Sequence, residues 1–210
     1  MASSMIHIAV ASELNKKLNR DSSKLFIGTI APDISKLVGE TKMKSHFIDI
    51  NGSNIPNLKR FLKKYKNYLN DDFVLGYYIH LYTDYLWFKY FMTEIDYNNI
   101  IKKLDGREVK CVGNMDCIYI YNDYLNTNCK ILDEYDLDLK IFYNELPTFD
   151  NIIEEIPMDK LSLIVNKAGE IIENSKVRKD MVFDINNINK FISISVNIIE
   201  SNLRELKIEF

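Results

Sequence analysis

Residues that punctuate a fold are scarce in this chain, with 7 glycines and 4 prolines among 210 residues. That scarcity weighs against a turn-rich β architecture and favours helices. The cysteines, Cys111, Cys117 and Cys129, are three in number and show no Cys-x2-Cys spacing. Neither a zinc knuckle nor a redox pair is encoded, so they read as reduced and packed. No apolar run approaches the roughly 20 residues of a membrane span, and no basic segment followed by an apolar stretch marks a secretory signal. A cytoplasmic protein is the expectation. Positive charge is also in deficit, with a formal net charge of -3 and a pI of about 5.7. Long nucleic acid and anionic membranes are therefore disfavoured as partners. Finally, no histidine follows residue 80.

What is present suits one all-α domain over residues 5–210, with a core fed by 47% hydrophobic residues. Met1 to Ser4 read as an expression scar ahead of a start at Met5, and are set outside the fold. Ile8, Ala11, Leu14 and Leu18 recur at helical spacing and predict a first helix over 7–19. In LFIGTIAPDI (25–34), Pro32 disfavours a helical Ala31, which predicts a bend with Asp33 directly after it. Residues 40–55, including Gly52, show no period and place His46 on a loop or short turn.

A helix from Pro56 to Tyr68 presents Lys59, Arg60, Lys63, Lys64 and Lys66, a strip that reads as a solvated face. Asp71 to Met92 is almost entirely apolar or aromatic behind an acidic start, which predicts a central, buried helix. Further helices are predicted over 115–132, with Ile118, Tyr121, Leu125 and Cys129 on one side, over 159–173 and over 185–206. The last two pack on the rest, and β-branched residues at 192–199 leave a strand alternative there.

His80 and Asp84 stand four residues apart, so a helix points both off one face, one turn apart. With Asp33 and His46 they offer two imidazoles and two carboxylates. That set suits zinc, and also manganese, iron or nickel. His7 remains for a second ion, with Asp84 as the bridge, because a carboxylate has two oxygens and a neutral imidazole one free nitrogen. Each residue alone also fits a structural role: His80 and Asp84 an internal pair, Asp33 a helix cap, His46 a surface or core residue. Tyr77, Trp87 and Phe88 on the same helix fit either a pocket wall or core packing.

LFIGTIAPD, then Lys44-Ser45-His46, then LGYYIHLYTDYLW together resemble the zinc-dependent phospholipase C family and the related single-strand-specific zinc nucleases. The resemblance spans residues 5 to about 92 and matches His7, Asp33, His46, His80 and Asp84 to the family's early ligands. It implies an all-α fold and hydrolysis of a phosphoester or phosphodiester. The family's later His and Glu ligands are missing, which implies a mono- or dinuclear centre in place of three metals. The family also uses its N-terminal amine as a ligand; an amine at Met5 would lie two residues from His7. Asp33 is the expected proton acceptor as well as a ligand. The expected substrate is a small phosphoester, and the alternative is a non-catalytic, metal-stabilised helical module for binding or regulation.

Overall fold

In the computed structural model, which describes residues 1–50, 54–97, 100–110 and 115–210 (backbone only for 94–97 and 115–117), the first helix starts earlier than its apolar period predicts. This helix, α1 (Ser4–Leu18), begins where the Ser3 hydroxyl accepts the Ile6 N–H at 3.3 Å, a side-chain cap on an otherwise orphaned donor. The expectation that residues 1–4 lie outside the fold is thereby corrected: Ala2, Ser3 and Ser4 are buried, and the Ser3 hydroxyl also donates to Asn128 at 2.9 Å.

Asp21 caps α2 (Ser22–Ile30) by accepting from the Ser23 and Lys24 N–H groups. The regular helix stops before Pro32, which has no N–H to offer, and the chain tightens into a 3-10 segment, Ala31–Leu37, carrying Asp33. Ala31 itself keeps a helical backbone, φ -56 and ψ -38, so the expected bend is replaced by a change from α to 3-10 geometry. A short helix, α3 (Lys42–Ser45), ends on His46, and α4 (Leu58–Tyr65) follows with its lysines and Arg60 exposed.

The buried central helix is α5 (Asp72–Leu86), capped by Asp71 accepting from Val74 N–H at 2.9 Å. It does not run unbroken to Met92. Trp87–Phe91 form a π-helical turn before the short α6 (Met92–Ile95). Three short antiparallel strands follow, β1 (Asp96–Tyr97), β2 (Ile100–Lys102) and β3 (Glu108–Lys110), in the order β1-β2-β3. The architecture is thus mostly helical with a small sheet that helical patterning does not foretell.

The last three long helices are α7 (Met115–Glu134), α8 (Leu161–Glu173) and α9 (Ile185–Glu205). An Asp184/Asn187 capping box starts α9, and Ile188, Ile192, Ile199 and Leu203 are buried in register, which sets aside the strand alternative. For α7 the predicted apolar face is wrong. Ile118 and Tyr121 are 64% and 56% exposed, whereas Asp123, Asn126, Thr127 and Asn128 are fully buried. The inward face is polar because it serves as an anchor: Asp123 accepts the N–H groups of Met181, Val182 and Phe183 at 2.9, 2.6 and 3.1 Å. Cys129 is a half-buried free thiol; Gly52, Cys111 and the Cys117 side chain lie outside the described residues. Among the described residues, no helix is long and apolar enough to cross a membrane.

Two glycines let α2 and α5 touch backbone to backbone. A Cβ on Gly28 would collide with the Phe73 carbonyl, and one on Gly76 with the Leu25 carbonyl. Backbone cannot yield as a flexible side chain can, so Gly76→Ala is expected to lower stability by about 3 kcal/mol, at the upper end for an overpacked core. Urea unfolding measures it, and an unchanged midpoint would contradict the close crossing.

Candidate metal centre

Five side chains from four segments meet beside the α2–α5 crossing. His80 and Asp84 come from one face of α5, and His7 from the first turn of α1, stacked on His80 with ring centroids 3.8 Å apart. Asp33 comes from the 3-10 segment after α2, and His46 from the end of α3. His46 is followed by Phe47 at φ 54, a left-handed backbone that a bulky residue adopts only at a cost of about 1 kcal/mol or more. Its ring packs edge-on against Phe61 at 5.2 Å and under the Arg60 guanidinium at 5.5 Å, contacts that hold the turn behind His46.

The outer hydrogen bonds aim the imidazoles. His80 Nδ1 lies 2.7 Å from the carbonyl of Thr29, in the last turn of α2, where carbonyls lack intrahelical partners. A carbonyl only accepts, so Nδ1 carries the proton and Nε2 is the free lone pair. His46 Nδ1 lies 2.9 Å from the Ser45 hydroxyl, which itself donates to the Lys42 carbonyl at 3.5 Å. The buried Tyr77 hydroxyl donates to the Ser45 carbonyl at 2.5 Å and steadies that turn. Such outer partners fix ligand orientation in metal sites.

As a result, His46 Nε2 and His80 Nε2 face each other at 3.2 Å. Asp33 Oδ1 is 3.5 Å from His46 Nε2, and Asp84 Oδ2 is 3.8 Å from His46 Nε2 and 3.7 Å from His80 Nε2. Ligand atoms about 2.0–2.1 Å from one tetrahedral ion lie about 3.3 Å apart, close to these spacings. The other Asp84 oxygen, Oδ1, is 3.4 Å from His7 Nε2 and accepts the Ala2 N–H at 3.0 Å. One carboxylate thus turns an oxygen to each of two positions.

Asp33 Oδ1, Asp84 Oδ2 and both ring nitrogens of His7 are buried with no hydrogen-bond partner. An unpaired buried polar atom costs about 1–3 kcal/mol. Two facing nitrogen lone pairs also repel unless a cation lies between them. The donor set, the spacing and the orphaned atoms agree that these buried residues could hold a metal ion.

The protonation states agree as well. Burial drives His80 well below the usual imidazole range and so keeps it neutral. Burial pushes the carboxyls of Asp33 and Asp84 up, but the close imidazoles of His46 and of His7 respectively outweigh it and hold both well below the usual carboxylate range. Neutral imidazole and ionised carboxylate are the forms that bind metal. The Met1 amine, pushed down to about 6 by burial, feels the Asp84 charge.

Every sequence-predicted site residue, His7, Asp33, His46, His80 and Asp84, lies in this cluster. Trp87 and Phe88 line a cavity beside it, whereas Tyr77 is fully buried in the core. Sequence reasoning missed Thr29, Ser45 and Ala2, which act through backbone atoms or a neighbouring hydroxyl and leave no spacing signal. No protein-family model matches the chain, and no curated protein or solved structure matches it.

Because folded His80 stays neutral below the ordinary value of 6.5, the unfolded chain takes up a proton there that the folded chain refuses. Stability of the metal-free protein is therefore expected to fall with pH, by about 1.4 kcal/mol per unit below about 6. Urea midpoints across that range check it; a flat profile would contradict a neutral, buried His80.

Proposed function

We propose that the protein is a metal-dependent hydrolase of small phosphoesters or phosphodiesters, akin to the zinc-dependent phospholipase C and zinc nuclease group. The observation that supports this most is the meeting of two overlapping groups, Asp33–His46–His80 and His7–His80–Asp84, each with its ligand atoms within 4.8 Å of one another, with Asp33 as the open side. Among the five ligands Asp33 alone is measurably exposed, at 11% of its side chain, and it lines the adjoining cavity.

Asp33, His46, His80 and Asp84 would hold the first ion, and His7 with Asp84 a second. Zinc is the ion this mixed set fits best, with manganese, iron or nickel as alternatives. Such an ion supplies Lewis acidity, which polarises a phosphoryl oxygen and brings the pKa of water to about 7. The chain's own part is to exclude bulk water around His7 and His80, and to hold His80 in one tautomer through Thr29. Asp33, ionised and facing the cavity, takes the proton of the attacking water.

A second reading, a non-catalytic metal-stabilised module for binding or regulation, draws support from the near-complete burial of the other four ligands and the lack of any histidine after residue 80. Elemental analysis after dialysis is expected to find roughly one or two divalent ions per chain. His80→Ala and Asp84→Asn should each lose most of that metal and nearly all hydrolysis of bis(4-nitrophenyl) phosphate. Full metal and full activity in both variants would refute the proposal. Chelator-sensitive melting without turnover on any phosphoester would favour the module.

A further inference from the structure

A cavity of about 530 Å³ opens beside the candidate metal centre, and three lysines stand on its wall among aromatic, aliphatic and a few polar residues; Lys167 is paired with Glu170 at 2.8 Å, which leaves Lys36 and Lys42. Lys36 comes from the 3-10 segment three residues after Asp33, and Lys42 opens α3. Their ammonium groups crowd each other: burial first, then the Lys36 charge, pushes Lys42 down to about 8. Among the described residues, neither has a carboxylate at salt-bridge distance, and Lys42 donates only to the Met1 sulfur. The nearby opposite charges are Asp33 and Asp84, and once those carboxylates engage a metal ion the two like charges call for an anion.

Two residues with orphaned donors also belong to the cavity wall. Asn128 and Trp87 are fully buried and line the same cavity, and Asn128 Nδ2 and Trp87 Nε1 have no hydrogen-bond partner. The charge balance narrows the anion. With the first ion alone, Asp33 and Asp84 offset its charge and Lys36 and Lys42 leave a double positive charge, which a second ion would raise further; that matches a terminal phosphate dianion better than a singly charged diester.

We propose that Lys36 and Lys42 are the phosphoryl-binding residues of this site and that its substrate is a phosphomonoester of an apolar alcohol, whose organic part lies against Trp87, Phe88 and Tyr121. This rests on the metal-dependent phosphoesterase reading and sharpens it to one substrate class. In the reaction, water oxygen bonds to phosphorus and the P–O bond to the alcohol breaks. One water proton ends on the alcohol oxygen, and inorganic phosphate and the free alcohol leave.

The test is calorimetric titration of the metal-loaded protein with inorganic phosphate, phenyl phosphate and methyl phosphate, with metal content measured on each sample. K36Q/K42Q is expected to keep its metal and bind phosphate about a hundredfold more weakly, about tenfold for each charge-assisted contact. Lys→Arg at both positions should restore most of the affinity, which a general loss of structure would not allow. Phenyl phosphate should bind about tenfold more tightly than methyl phosphate because its ring leaves water. Retained metal with unchanged phosphate affinity in K36Q/K42Q would overturn the lysine assignment while leaving the metal centre standing. Equal binding of the two esters would overturn the apolar alcohol. Absence of metal from the wild-type protein would overturn the underlying reading and this proposal with it.

Discussion

The close crossing of α2 and α5 sets everything else in place. With no Cβ at Gly28 or Gly76, the two backbones meet, and the last turn of α2 comes to rest against the His80 side of α5. A loose carbonyl at the helix end then becomes the acceptor for His80 Nδ1 at 2.7 Å. Three residues beyond that helix, past Pro32, Asp33 arrives on the other side of the same imidazole group. A break in regular structure and a close approach act jointly: Pro32 ends the helix, and the glycines bring its end to the site.

A cluster of this kind is unfavourable on its own. Two ionised carboxylates and three imidazoles are removed from water, and the ring hydrogen bonds to Thr29 and Ser45 turn lone pairs inward. Desolvation of buried charge costs several kcal/mol per ion and is repaid only by close opposite charge. A divalent ion held between the carboxylates and the imidazoles supplies that charge. Lys36 and Lys42 on the cavity wall present the converse case, positive groups with no carboxylate at salt-bridge distance. Their opposite signs on adjacent surfaces suit an anion that is bound partly by metal and partly by protein.

The site was more legible in the sequence than the fold around it. The four-residue spacing of His80 and Asp84 fixes their common face wherever the segment is helical, and Pro32 signals the end of the regular α-helix before Asp33, though not the helical backbone that Ala31 keeps. No such periodicity marks Ser3 or Ala2, whose role depends on where α1 docks. The inward face of α7 misled because Asp123, Asn126 and Asn128 are buried for hydrogen bonds to chain distant in sequence, and apolar pattern alone assigns such residues to solvent. The π-helical turn at Trp87–Phe91 is likewise invisible to a 3.6-residue period, yet it shapes the wall on which Trp87 and Phe88 stand. The small sheet at 96–110 has strands of two or three residues, too short for alternation to register.

The measurement that bears most directly on the central claim is anomalous scattering from crystals of the protein purified without added metal. The account predicts a strong peak enclosed by His46 Nε2, His80 Nε2, Asp33 Oδ1 and Asp84 Oδ2, with any second peak between His7 Nε2 and Asp84 Oδ1. Ordered water, or a direct hydrogen bond joining His46 to His80 with no anomalous signal there even after soaking in zinc, would contradict it.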